Sequence, residues 1–386
     1  MASAIAQDKG SGYVGDGYYR VQNKATNRFI YVTDNKDYYE ISRDKEDFQA
    51  IQLWKDASKT IYNPATVIYV HKYTNGTYNL QAQGTGVREL TGYSVHVEET
   101  DDGYYEVYAT KEGYATKYLS DDRSNSAPQG QLGTKSARDY RKWIVDKIET
   151  NSAINYFGIK PTIHLNGKHY QPFYAAFPFK TASPNMHVYY VSKVEGDVVV
   201  LKEIGGEIPA STPVVIECAS EDPANNRLEI LNPSTAKLKN NKLVGVYFCN
   251  GDRPKESVDA YKAFGADTMR VFTTANDKLM LSNNESELLE SEVLVEIETT
   301  DWDTEEDIDV VCIPANTCYL KVNANTPATL SIRFEGLGLD EILADNKDSD
   351  VEGVYTLSGT QLRSTNDVEG LPAGVYIVGG VKVVIK

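Results

Sequence analysis

His164 and His169 stand on either side of an Asn166-Gly167 pair, a two-residue signal for a tight hairpin turn. Such a turn sets Leu165 opposite Lys168, and hence His164 opposite His169, with both rings on one face of the hairpin. Two imidazoles so placed hold a transition metal if a third ligand arrives from elsewhere. The sequence identifies no third ligand, so solvated histidines are the expectation and no metal or cofactor is assigned. A second acidic candidate is Asp301-Trp302-Asp303-Thr304-Glu305-Glu306-Asp307-Ile308-Asp309, whose alternating acids resemble the opening of a calcium loop. It lacks the glycine at position six and the glutamate at position twelve that such a loop needs, so an exposed acidic loop is expected.

Sugar binding asks for an aromatic face beside short acids or amides. Thr33-Asp34-Asn35-Lys36-Asp37-Tyr38-Tyr39 supplies both, making Asp34, Asn35, Tyr38 and Tyr39 candidate ligand residues. Asp121 and Asp122 stand at the corresponding place further along. These would be shallow, exposed sites. Tyrosine is also a common residue of β surfaces and aspartate of turns. Glycoside hydrolysis needs two acids at a set separation in space, and 55 Asp and Glu residues leave that pair unidentified. Nucleophile-elbow, phosphate-loop, dinucleotide and His-Glu-x-x-His patterns are absent from the sequence, so a non-catalytic protein is expected. Cys218, Cys249, Cys312 and Cys318 form no CxxC pair; one disulfide or buried free thiols fit them equally.

The elements that must carry these residues are strands. The 386 residues are 41% hydrophobic and include 27 tyrosines, with Val, Ile and Thr in short alternating runs bounded by turn residues. An all-β fold of several domains follows. Residues 285–298 fit a short helix or a strand equally well. A net charge of −16 argues against nucleic acid as partner. No apolar run is long enough for a membrane helix. Ala4-Ile5-Ala6 before Gln7 has the small-x-small form that ends a secretory signal, so residues 1–12 read as a signal remnant or tail.

Tyr18-Tyr19-Arg20-Val21 is echoed 86 residues later by Tyr104-Tyr105-Glu106-Val107, and the downstream Arg28-Phe29-Ile30 by Lys117-Tyr118-Leu119. A weaker middle copy fits between them, giving three units of about 43 residues. Residues 13–150 thereby resemble the ricin-type lectin family, whose repeats end in Gln-x-Trp. Gln52-Leu53-Trp54 matches, Trp143 ends the third unit as Arg141-Lys142-Trp143, and the second reads Ser94-Val95-His96. The resemblance implies a β-trefoil with Gln52, Trp54 and Trp143 as structural residues.

Ile208-Pro209-Ala210-Ser211-Thr212 recurs 105 residues on as Ile313-Pro314-Ala315-Asn316-Thr317. A proline at the second position cannot donate to a ladder, so each copy belongs at a strand start or sheet edge. Residues 151–335 resemble β-sandwich modules of exported Gram-negative proteins. After a polar linker at 336–350, residues 351–386 carry Gly353-Val354-Tyr355 and Gly374-Val375-Tyr376 and end in a Lys-containing strand. They resemble the type A sorting domain of the type IX secretion family. The resemblances imply an exported protein in the periplasm, at the outer-membrane surface or outside the cell. Its expected partner is a glycan or a cell-surface protein, in an adhesive role in the second case. A hydrolase within 151–335 is the weaker alternative.

Overall fold

The computed structural model describes residues 9–32, 51–54, 57–84, 94–113, 115–121, 130–133, 138–234, 236–247, 261–301, 304, 306–335, 353–356, 361–368, 370–372, 374–378 and 381–385. They are nearly all β, with only short helices among them. The chain falls into two compact units, 1–332 and 333–386.

The first ten strands are β1 (Gly17–Asn23), β2 (Phe29–Val32), β3 (Ile51–Trp54), β4 (Ile68–Lys72), β5 (Tyr78–Ala82), β6 (Ser94–Glu99), β7 (Tyr105–Thr110), β8 (Lys117–Asp121), β9 (Gly130–Gly133) and β10 (Lys142–Lys147). Inward and outward residues alternate strictly along β4, β5 and β7, as the pleat demands when one face is buried. Antiparallel pairing runs β1 to β4, β5, β6, β7 and β10, and β10 returns to β1, so six strands close a ring. Closure leaves these strands no open edge. The β2–β3 and β8–β9 hairpins extend from β1 and β7. Tyr19, Val21, Val70, Leu80, Val107 and Trp143 pack together as the core of this part. Trp143 is fully buried, and its indole N–H donates to the carbonyl of Leu119 at 3.1 Å.

Next come β11 (Phe157–Gly158), β12 (Ile163–Leu165), β13 (Lys168–Phe173), β14 (Phe179–Thr181), β15 (His187–Glu195), β16 (Val198–Glu203), β17 (Val214–Cys218) and β18 (Arg227–Ile230). They are followed by β19 (Leu243–Val246), β20 (Lys262–Ala263), β21 (Met269–Ala275), β22 (Lys278–Ser282), a helix at Glu285–Glu290, β23 (Val295–Asp301), β24 (Glu306–Ile313), β25 (Thr317–Lys321) and β26 (Thr329–Glu335). A large sheet runs β12-β13-β17-β15-β16-β26-β22-β21-β25-β19, flanked by three-stranded sheets β11-β18-β14 and β20-β24-β23. Phe157, Leu228 and Phe179 of the first small sheet pack on Phe173, Val214 and Ile216 of the large one. This is sandwich-type packing.

The strand order contains a duplication. Neighbours β13-β17-β15-β16 correspond to β19-β25-β21-β22, each a strand, a hairpin and a closing strand in the same order. The Ile-Pro-Ala-x-Thr segments lead into β17 and β25, the matching closing strands. Ile208 bridges Phe179, and Ile313 pairs with Lys262, so the isoleucine meets the equivalent short strand in each copy. The fourth residue of each segment is left-handed, Ser211 at φ 57° and Asn316 at φ 59°. Each reaches into the other copy. Ser211 Oγ bonds the Tyr247 hydroxyl, while Tyr174 N–H donates to the Asn316 carbonyl at 3.0 Å. Tyr174 and Tyr247, which follow β13 and β19, pack ring against ring at a tilt of 43° with centroids 4.2 Å apart.

The ring and the sandwich are fastened by buried groups. Tyr18 and Val67 belong to the sandwich core, not the ring core. The buried Arg20 guanidinium donates to Asn155 Oδ1 at 2.6 Å, the Tyr156 carbonyl at 2.9 Å and the Thr60 carbonyl at 2.8 Å. Desolvation pulls its pKa down to about 9.

The acidic segment lies partly in strands: Asp301 ends β23 and is paired with Glu306, which opens β24. Residues 285–298 divide into the helix and the start of β23, and β23 pairs with β24 in register, setting Glu298 opposite Asp309. Trp302, Asp303 and Glu305 lie outside the described residues. In the second unit, β27 (Val354–Thr356), β28 (Gln361–Arg363), β29 (Gly374–Val378) and β30 (Val381–Ile385) form an antiparallel sheet in the order β28-β27-β29-β30. The two Gly-Val-Tyr segments sit on the paired central strands, with Tyr355 opposite Ile377.

Candidate functional site

Asp34, Asn35, Tyr38, Tyr39 and Asp122 lie outside the described residues. Gln52 and Trp54 are on β3, paired with Tyr31 and Phe29. Asp121, expected in an exposed turn, is fully buried at the end of β8. Its carboxylate accepts from Arg28 Nε at 2.7 Å and also engages Arg28 Nη2 and Thr26 Oγ1. The ion pair ties the first hairpin of the ring to the third, which leaves Asp121 a structural group and not an open ligand.

A cleft forms where the ring meets the sandwich. Its cavity of about 250 Å³ is lined by Tyr62 and Asn63 from the ring, and by Lys160, Thr162, Gln171 and Asn316 from the sandwich. Each polar group has a local reason for its place. Asn63 caps the short 3-10 turn Pro64–Thr66, accepting from Ala65 N–H at 2.9 Å. The Asn316 amide donates to Gln83 Oε1 at 2.9 Å and the Tyr174 carbonyl at 3.0 Å, which its left-handed backbone allows. Lys160 Nζ sits 5.4 Å from the centroid of the Tyr62 ring.

Gln171 is different. It is buried on β13, and its Nε2 donates to the Pro172 carbonyl at 2.9 Å. Its Oε1 has no hydrogen-bond partner among the described residues. A buried amide acceptor left so costs about 1–3 kcal/mol, and because the atom is closed off from solvent, a donor in the cleft reaches it only if the side chain turns. Among the described residues, no aspartate or glutamate lines the cleft.

A second aromatic surface lies on the outer face of the ring. The ladder sets His96, Tyr108 and Tyr118 side by side on β6, β7 and β8. His96 stacks on Tyr108 at 4.8 Å, Tyr108 meets Tyr118 at 5.4 Å, and the Arg141 guanidinium covers Tyr118 at 4.2 Å. The Tyr108 hydroxyl donates to Glu98 at 3.1 Å, and desolvation together with that carboxylate raises its pKa. The Tyr108 hydroxyl is thus engaged, and His96 Nε2 lies 3.0 Å from Thr110 Oγ1.

The β12–β13 hairpin has the register its turn residues dictate, His164 opposite His169, with Asn166 and Gly167 at φ 48° and 80°. The structure adds Glu221, from the turn after β17, beside both rings. Sequence reasoning missed it because only the pairing of β13 with β17 brings residue 221 to the hairpin. The cleft was likewise invisible, since its walls come from segments about 100 residues apart or more. Cys218, Cys312 and Cys318 are buried, and burial pushes the Cys218 thiol up to about 12.

No family model matches the chain, and no curated protein matches it. Among solved structures, one described as "Structure and mode of action of a mosquitocidal holotoxin" aligns with 82% of this chain at 9% identity and a TM-score of 0.29. The chain spans 35% of the length of that one. A likeness at this score carries no argument about function.

Proposed function

We propose that the chain is an exported, non-catalytic binding protein whose ligand is a carbohydrate, held in the cleft between Tyr62 and Gln171. The unpartnered Gln171 Oε1 carries this reading. A turn of the Gln171 side chain toward the cleft would offer this shielded acceptor to a sugar hydroxyl, the Tyr62 ring is an apolar surface for the C–H face of a pyranose, and Lys160 beside that ring is a further donor. Among the described residues the lining holds no carboxylate to form the acid pair of glycoside hydrolysis.

The closed ring of six strands with its extending hairpins supports reading residues 13–150 as the β-trefoil that the Gln52-Leu53-Trp54 motif resembles. A fold names no ligand by itself, so the cleft and not the ring is the basis of the proposal. The paired Gly-Val-Tyr strands support reading the small C-terminal unit as a sorting module, and thus a location in the periplasm, at the outer-membrane surface or outside the cell. Fractionation of producing cells checks that location.

The central test is a glycan array followed by calorimetry on the best binder, with Gln171→Leu, Tyr62→Ala and Tyr108→Ala compared. Gln171→Leu removes the acceptor while filling its space, so binding falls about tenfold or more while stability changes by no more than about 1 kcal/mol. Tyr62→Ala weakens binding similarly and Tyr108→Ala leaves it intact. Absence of glycan binding at high protein concentration overturns the proposal. Loss confined to Tyr108→Ala removes the cleft from it and assigns the sugar to the aromatic strip.

A further inference from the structure

The geometry points to a divalent transition-metal site, of the zinc or copper class, formed by His164, His169 and Glu221. The two ring nitrogens His164 Nδ1 and His169 Nδ1 lie 3.0 Å apart. Glu221 Oε1 is 3.7 Å from the first and 3.9 Å from the second. Three ligand atoms around zinc, each about 2.0–2.2 Å from the ion, sit about 3.3–3.6 Å from one another in a tetrahedral shell. The observed triangle brackets that spacing, and the point equidistant from its corners is about 2.1 Å from each, a zinc–ligand distance. Closing it takes a rotation of the two rings from their mutual hydrogen bond toward that point.

The parts are held by backbone, not by chance meeting of long side chains. The two-residue turn fixes the histidines opposite each other, and the β13–β17 ladder, with His169 opposite Cys218, brings the following turn alongside. Within that turn Asp222 accepts from Ala224 N–H at 2.9 Å and Asn226 Oδ1 from Ser220 N–H at 3.1 Å, which fixes the backbone around Glu221. Without an ion, one imidazole donates its Nδ1 proton to the other. With an ion, both lone pairs turn to the metal.

The donor set selects the metal. Two neutral imidazoles and one carboxylate suit zinc, copper and nickel, whereas calcium and magnesium ask for oxygen ligands throughout. His164 and Glu221 side chains are 50% and 72% exposed, so an ion can enter and the rest of its shell is water or a donor from a partner. The chain's charge of −16 raises the local concentration of cations. Bound metal would pin the tip of the β12–β13 hairpin to the turn after β17. This inference stands apart from the carbohydrate reading, because it uses no residue of the cleft lining.

The test is a zinc and copper titration of metal-free full-length protein by calorimetry and thermal unfolding, with calcium as control. Cobalt serves as the spectroscopic probe. One zinc per chain should bind, copper more tightly and calcium not at all, following the affinity order of divalent ions for nitrogen sites. The unfolding midpoint should rise with zinc concentration. Cobalt should give d–d bands without the thiolate charge-transfer band that the buried cysteines would produce. His164→Ala and Glu221→Gln, both at exposed positions, should each weaken zinc binding by at least about tenfold, the loss that even an outer-shell partner causes. Circular dichroism and the metal-free unfolding midpoint verify that both variants are folded. Equal zinc affinity in the wild type and His164→Ala, a thiolate band with cobalt, or no saturable zinc binding would each overturn the assignment.

Discussion

At Asp121 and Arg28 the ring holds two opposite charges away from water, and each is the other's main compensation. Removing one partner of such a pair leaves the other buried and uncompensated, at a cost of about 3–5 kcal/mol. Asp121→Ala should therefore lower stability by roughly that amount in denaturant unfolding, and its effect on glycan binding should follow only from loss of fold. A ligand-contacting aspartate would behave in the opposite way. The same residue shows why sequence reading stops where it does. Asp121-Asp122 looks like a turn because aspartate favours turns, and nothing local announces a guanidinium 93 residues earlier. The histidine register, by contrast, was legible, because two turn residues decide it without help from the rest of the chain.

Among the elements, the repeated Ile-Pro-Ala-x-Thr segments were visible in sequence and their placement before strands held. Their role was not, because it depends on contacts with the opposite copy. One consequence falls on β19. Gly245 lies opposite Cys318, and an added Cβ would sit 2.3 Å from carbons of the Tyr174 ring. Gly245→Ala must displace that ring and its contact with Tyr247, and should cost about 1–3 kcal/mol as overpacking does. Thermal unfolding checks this, and Tyr174→Ala in the same chain should recover part of the loss attributable to the clash. The acidic hairpin is the counter-case. Alternating acids with Thr and Ile were read as a loop, although the same alternation also fits a strand whose faces both meet water.

For the first unit as a whole, the abundance of tyrosine sets its response to alkali. Burial raises the phenol pKa values of Tyr18, Tyr19, Tyr174, Tyr247 and Tyr319 above the ordinary value near 10. Above pH 10 the unfolded chain loses protons that the folded state keeps, so this contribution to stability is complete below pH 10 and declines as pH rises beyond it. Arg20, with its pKa drawn down to about 9, and Arg270, lowered by desolvation, act in the opposite sense, but they are outnumbered by the tyrosines. Chemical unfolding followed from pH 8 to 11 should show stability falling above pH 10, with tyrosinate absorbance and loss of β-sheet dichroism rising together. Independent titration of the tyrosines in a still folded chain would contradict it.

The exchange of Ser211 with Tyr247 and of Asn316 with Tyr174 also bears on ancestry. Two like halves, each donating its turn to the other's tyrosine, reproduce what a two-fold dimer looks like after its subunits are joined end to end. A forebear of half the length would have carried one turn and one tyrosine and met a second copy of itself across the same ring contact. The two halves differ in what they carry: one has the histidine hairpin, the other the acidic arm between its hairpin and its closing strand, and both line the cleft.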